Sequence, residues 1–335
     1  MSLPSADAAP PAHTSPPTPH PDPDGAGEDV LRIESLVKRY RGKRTPANDG
    51  ITLRAARGRV LGVLGHNGAG KTTLVNQIVG LLRPSSGSIS VAGVDAIAHP
   101  DRARELVSVQ AQANVPITGL TPRTAIELIG RIRGGGKTET RRRAAELLEM
   151  LDLGPWADTP AQKISGGVAR LTAYCMAAIR PGALVILDEP TNDVDPARRR
   201  LLWDAIRATA AEGAGVLLVT HNVREAERVV DDLIVLDRGR VIASGSPAQL
   251  TSHLRSRLLL ELDGTAIPAP PTGLRLESVG LAQSVVAIPA DRGAEAVDWA
   301  QACVSRGDIE RFSLTPASLE DAYLELVGSD TEDAA

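Results

Sequence analysis

Residues 65–72 read Gly-His-Asn-Gly-Ala-Gly-Lys-Thr, an eight-residue run that fits GxxxxGK[ST] at every fixed position. The run follows Arg59–Gly65, RVLGVLG, whose short apolar β-branched character reads as a buried strand, and precedes Leu74, Ile78 and Leu81, which are spaced for a helix. Strand, glycine-rich loop and helix in that order form a phosphate cradle. Gly65, Gly68 and Gly70, with His66, Asn67 and Ala69 between them, let successive backbone N–H groups turn inward on phosphate oxygens, and the helix N-terminus adds its dipole. Lys71 supplies a point charge for the β and γ phosphates, the Thr72 hydroxyl is a ligand for Mg²⁺, and Thr73 is placed to contact phosphate from the next helical position.

A second run, Leu184–Pro190, reads LVILDEP. Its apolar half predicts another buried strand. Asp188 at the strand end is suited to hold Mg²⁺, and the adjacent Glu189 to orient or deprotonate the attacking water of a phosphoryl transfer. Val216–Thr220 reads as a third buried strand. Short apolar runs alternating with helical patterns predict an α/β chain with a mostly parallel, helix-covered sheet.

Outward from these motifs, composition narrows the function classes. The 335 residues carry a formal net charge of −4 and only seven aromatic side chains, too few for the row of stacking rings that grips single-stranded nucleic acid. No window approaches a membrane span, and no signal peptide is evident, so the chain reads as cytosolic. Cys175 and Cys303 lack metal or disulfide spacing and read as small buried hydrophobes. Residues 1–27 hold eight of the 24 prolines and read as a disordered tail. A main nucleotide-binding domain is expected over 28–250, a small module over 251–330, and a second disordered tail over 331–335. Within the module, Ala266–Gly273 reads as a linker or loop, Ser284–Ile288 as a strand, and Ala296, Val297, Ala300, Cys303 and Val304 as one helical stripe. A terminal helix is expected to be capped by Thr315, to start at Pro316, and to stop at Gly328, with Leu319, Ala322, Tyr323 and Leu326 on one face.

Between the two nucleotide motifs lies Ile164–Val168, ISGGV. A phosphate loop, then SGG, then an apolar run ending in DEP, then Asp195 in TNDVD and His221 in LLVTHN, resembles the ATP-binding cassette (ABC) ATPases from about Val30 to Leu250. The resemblance implies a P-loop NTPase fold with an antiparallel β subdomain and a helical signature subdomain, to which the C-terminal segment adds a small α+β module. It also implies MgATP sandwiched in a head-to-tail dimer, between the phosphate loop of one copy and Ser165, Gly166 and Gly167 of the other. By the same resemblance Tyr40 in LVKRYRG stacks on adenine, and Gln112, with Gln110 as fallback, links the nucleotide and its Mg²⁺ to a membrane partner. Asp195 takes the interface position, and His221 acts with Glu189 as a catalytic residue beside Lys71. Val168 stands where Gln or Met is usual, Ala169 where a basic residue is common, and Asp193 where a small residue is common.

Leu314–Gly328, LTPASLEDAYLELVG, is similar to the tail of ABC-2 type exporter ATPases, including the daunorubicin-resistance group. That implies an exporter motor on the cytosolic face of the cell membrane, a dimer of this chain, and a separate ABC-2 type permease, with no nucleic-acid partner. The competing readings are a soluble cassette acting on nucleic acid or ribosomes, and a regulatory ATPase uncoupled from transport.

Overall fold

The computed structural model describes residues 28–112, 117–254, 256–264, 267–279 and 283–332. Residues 1–27 and 333–335 lie outside them, and of the second tail expected over 331–335, Thr331 and Glu332 instead belong to the last helix, Leu319–Glu332.

The first sheet is antiparallel, in the order β2-β1-β4-β5, and comprises β1 (Asp29–Lys38), β2 (Asn48–Ala56), β4 (Ser86–Val91) and β5 (Val94–Asp95). The central sheet has the order β10-β9-β3-β8-β7-β6. Its strands are β3 (Val60–Leu64), β6 (Val107–Gln110), β7 (Leu184–Asp188), β8 (Gly215–Thr220), β9 (Asp232–Asp237) and β10 (Arg240–Gly245). From β9 to β6 every pairing is parallel, and only β10 runs antiparallel. All residues of β3, β7 and β8 are buried, as expected for strands covered on both faces, which is why their sequences are unbroken apolar runs rather than alternating ones.

Helices cover that sheet: α1 (Lys71–Ile78), α2 (Pro100–Glu105), α3 (Pro122–Ile132), α4 (Lys137–Met150), α5 (Gly166–Ala178), α6 (Pro196–Ala211), α7 (Val223–Val229) and α8 (Pro247–Leu250). Two cores result. Val60, Leu64, Val185, Leu187, Val216 and Leu218 face the α3–α7 side, whereas Leu61, Val63, Leu184, Ile186, Leu217 and Val219 face α1 and the first sheet. Tyr174 is fully buried, and its hydroxyl meets Thr209 Oγ1 at 2.8 Å, so the polar atom is not stranded.

The strand order brings three loops together. β8 lies on one side of β3 and β9 on the other, so the chain switches direction there, and the segments after β3, β7 and β8 open at one edge of the sheet. In open α/β sheets ligands bind in that crevice, beyond the carboxyl ends of the strands.

The C-terminal module is a four-stranded antiparallel sheet in the order β12-β13-β11-β14, formed by β11 (Arg257–Asp263), β12 (Arg275–Val279), β13 (Gln283–Pro289) and β14 (Arg311–Pro316). Helix α9 (Gly293–Arg306) covers one face through Ala296, Ala300 and Cys303, while Val304, placed on that stripe by the sequence, is exposed. The last helix, α10 (Leu319–Glu332), starts later and runs longer than its pattern predicts. Thr315 and Pro316 end β14, paired with Leu259 and Leu258 of β11, and Ser318 makes the turn into the helix by donating both N–H and Oγ–H to Asp321. Gly328 lies within α10 rather than ending it. α10 leaves its own module and packs on α7 and α8 of the cassette, with Leu319 fully inside the main core. Burial of one such leucine contributes about 1.5–3 kcal/mol to that docking.

Candidate functional site

The phosphate loop occupies the crevice after β3. Gly70, the residue before α1, has φ 106° and its carbonyl takes a hydrogen bond from Asn48 Nδ2 at 3.2 Å. A Cβ at Gly70 would lie 2.4 Å from the Ala47 carbonyl oxygen, and one at Gly65 would lie 2.5 Å from that of Leu236, so side chains are excluded by close backbone approach. α1 begins at Lys71 with no side-chain cap, which leaves its first-turn N–H groups for an anion. The Lys71 ammonium is nearly buried and donates to the carbonyls of Gly65 at 2.5 Å and His66 at 3.2 Å.

These residues line a cleft of about 300 Å³ that includes His66, Asn67, Gly68, Gly70 to Thr73, Gln112, Asp188 and Glu189, with Ala47 at its edge. The charges within it act on one another. Burial pushes the Lys71 pKa down against the opposing pull of Glu189 and Asp188. Burial, and then the neighbouring Glu189 charge, pushes Asp188 up to about 6, against Lys71 and Arg170. Gln112 lines this cleft, whereas Gln110 is buried and donates from Nε2 to the Arg170 carbonyl.

Glu189 has φ 51°, a left-handed conformation that is strained for a side-chain-bearing residue and recurs at functional sites. Its carboxylate is held at both oxygens: His221 Nδ1 lies 2.7 Å from Oε1, and Thr220 Oγ1 donates to Oε2 at 3.1 Å. The His221 imidazole is half exposed and, among the described residues, does not line the cleft.

The other sequence candidates do not line the cleft. Tyr40 is exposed, its ring 5.5 Å from the Lys38 ammonium. Ser165 caps α5, accepting from the Val168 N–H, and Gly166 and Gly167 lie against Asp193, where a Cβ on Gly167 would sit 2.4 Å from the Asp193 carbonyl oxygen. Asp193 itself has φ 63°, a left-handed conformation that Asp adopts more readily than most other non-glycine residues. Asp195 caps α6, and the Arg198 N–H and guanidinium hold its pKa below the usual carboxylate range. Two supporting residues lie in no motif: Asn48, which also accepts from Gln77, and Asp237, whose Oδ1 lies 2.7 Å from His66 Nε2; Thr220, inside LLVTHN, donates to Glu189.

A family model described as ABC transporter matches residues 48–192. The chain is 34% identical to the Nod factor export ATP-binding protein I of Ralstonia nicotianae over 93% of this chain and 98% of that protein. The chain belongs to the ABC transporter family. It is likewise 34% identical to the daunorubicin/doxorubicin resistance ATP-binding protein DrrA of Streptomyces peucetius, over 91% of this chain and 94% of that protein. A solved ATP-binding subunit of an ABC transporter superposes with a TM-score of 0.62 at 28% identity, covering 67% of this chain and 92% of that one. This chain is therefore an ABC ATPase.

The raised pKa of Asp188 has a stability consequence of definite sign. A carboxyl whose folded pKa lies above its ordinary 3.8 costs nothing below that value and its full amount above about 6. Asp188→Asn is expected to raise the Tm of the nucleotide-free protein by about 2–4 °C at pH 7.5 and to leave it unchanged near pH 4, as read by a thermal melt at each pH. An equal shift at both pH values would show that ionisation of Asp188 is not the cause.

Proposed function

We propose that the chain is the ATP-hydrolysing subunit of an exporter. It works as a head-to-tail dimer on the cytosolic face of a membrane, beneath a separate ABC-2 type permease. The observation that carries this reading is the division of the site. Lys71, Thr72, Thr73, Gln112, Asp188 and Glu189 share one cleft, while Ser165, Gly166, Gly167 and Asp195 stand apart from it on the same chain. A second copy turned head to tail brings its SGG segment and the N-terminus of its α5 to the first copy's phosphates, and Tyr40 closes over the adenine. The export assignment is supported by likeness that runs through the C-terminal module, since both relatives named for export or drug resistance align over nine-tenths of the chain. Among the described residues no helix is long and apolar enough to cross a membrane.

The donor set fits MgATP: a glycine cradle that a Cβ would fill, a buried ammonium, and a buried carboxyl whose pKa is raised by burial and by the neighbouring Glu189 charge. Thr72, Gln112 and Asp188 would hold Mg²⁺, which neutralises charge on the phosphate oxygens when bound. Lys71 and the loop N–H groups bind the β and γ phosphates. Glu189 orients a water in line with the γ-phosphorus and takes its proton as the water oxygen bonds to phosphorus and the β–γ bridging bond breaks, giving ADP and phosphate. His221 holds the Glu189 carboxylate through Nδ1. Closure on ATP and reopening after hydrolysis are the movements delivered to the permease.

Affinity purification of the tagged chain from detergent-solubilised membranes of its own source tests this reading. Recovery of a protein with several membrane spans at a stoichiometric ratio is expected. Recovery of nucleic acid or ribosomes with no membrane protein would overturn it.

A further inference from the structure

Residues 189–195 form the turn between β7 and α6, and they join the Glu189 carboxylate in the cleft to the residue that caps the next helix. The turn is held at three places. At its start Glu189 is fixed by Thr220 and His221. In its middle Asp193 lies against Gly166 and Gly167 of the SGG segment, and the Val194 carbonyl accepts from Arg199 Nη2 at 2.9 Å. At its end Asp195 accepts twice from one residue, through Oδ1 from the Arg198 N–H at 3.0 Å and through Oδ2 from Arg198 Nη1 at 2.9 Å.

The Arg198 guanidinium also reaches a second piece of chain. Its Nη2 donates to Asp152 Oδ2 at 2.7 Å, its Nε reaches the Asp152 carbonyl at 3.4 Å, and its central carbon lies 4.4 Å from the centre of the Trp156 ring. Asp152 and Trp156 belong to the connection that runs from the end of α4 to Ser165, where the SGG segment begins. A planar fork with fixed donor directions can span two carboxylates and stack on a ring at once, which a lysine ammonium cannot do.

We propose that Arg198 is a positioning residue for hydrolysis: it ties the turn that begins at Glu189 to the connection that leads into the SGG segment, so that these two parts of one chain keep a fixed relation. In the head-to-tail dimer a chain uses its Glu189 in one nucleotide site and its SGG segment in the other, and the strut makes the placement of one depend on the placement of the other. The inference rests on that dimer reading. A partly exposed ion pair adds little to stability, since lost hydration and side-chain entropy offset its attraction, so the effect of the strut is on geometry. Lys71 and the phosphate loop lie on β3 and α1, out of its reach, so a slack turn misplaces the Glu189 carboxylate and leaves ATP binding alone.

The test uses the full-length chain with Arg198→Ala and, separately, Asp152→Gly. Glycine suits the left-handed backbone of Asp152, φ 52°, and removes the carboxylate at the far end of the strut while Asp195 keeps its partner. Each variant is expected to lower kcat about three- to tenfold, with KM for ATP within about twofold and Tm within about 2 °C of wild type. The double variant should lose no more than the worse single one. An unchanged kcat in Arg198→Ala overturns the proposal, and so does a loss that Asp152→Gly does not share, because the guanidinium would then serve Asp195 alone. A change carried by KM or Tm instead of kcat overturns it as well.

A second readout needs neither ATP nor a dimer. In the fluorotryptophan-labelled chain, with the Trp156 resonance assigned by Trp156→Phe, Asp195→Ala should shift the ¹⁹F signal of Trp156, and the shift should vanish when Asp195→Ala is made in the Arg198→Ala background. A shift that persists without Arg198, or none in its presence, shows that nothing passes along the strut. A wild-type chain that fails to hydrolyse ATP would instead count against the reading of the cleft, and the fluorine comparison would still decide the strut.

Discussion

Glu189→Gln is expected to bind ATP with undiminished affinity and to lose turnover by about a thousandfold, within the 10²–10⁴ range that a positioned general base contributes. The hydrogen-bond pattern explains why binding survives. Glutamine Oε1 still accepts from His221 Nδ1. Its amide nitrogen donates to the Thr220 hydroxyl, which reverses its role from donor to acceptor and continues to accept from the Asn222 N–H. The left-handed backbone at this position is a property of the turn between β7 and α6 and is common to both side chains. Chemistry fails because an amide cannot take the proton from water. The stalled complex should accumulate as a dimer on size-exclusion chromatography in the presence of MgATP, whereas phosphate release at the wild-type rate would remove Glu189 from the mechanism.

Lys71→Ala is expected to reduce kcat/KM for ATP by at least about a hundredfold, the loss typical when one preorganised donor to a developing charge is removed from a water-poor site. The ammonium faces two carboxylates, so its loss also leaves Asp188 and Glu189 without their shared cation. Asp188, already raised to about 6, should move higher. Steady-state hydrolysis against ATP concentration and pH checks both parts: lower kcat/KM, and an acidic limb displaced to higher pH. Residual activity with an unmoved limb would mean that Lys71 and Asp188 do not interact.

What could be read in the sequence was what is contiguous. The phosphate loop, LVILDEP and LLVTHN each carry their own strand and their own functional residue, and the sheet brings the three ends together because β3, β7 and β8 are sequence-distant neighbours. The local polar supports were missed for the opposite reason. Asn48 and Asp237 meet Gly70 and His66 only across strands, and nothing around them in the chain signals it; Thr220 lies in LLVTHN, but its bond to Glu189 is likewise made across strands. The start of the last helix was misread because Thr-Pro is a good helix opening locally, yet pairing with β11 claimed both residues for a strand. Val168 shows the limit of a family pattern. Its side chain is buried in the main core, so packing accounts for an apolar residue where the resemblance leads one to expect Gln or Met. Ala169 is half-exposed, and nothing in the structure explains why it replaces a basic residue.

The two thiols have a practical consequence. Cys175 and Cys303 are both free and fully buried, and burial pushes the Cys175 thiol up to about 12. Thiol reagents act on thiolates they can reach, so the natural chain is already silent to maleimide dyes and spin labels. A reporter cysteine placed at exposed Leu81 or Ile132, on the loop after α1 and at the end of α3, would be the single reactive site. Subunit closure and reopening could then be followed by fluorescence or spin-echo distances in the wild-type background, with no native cysteine removed.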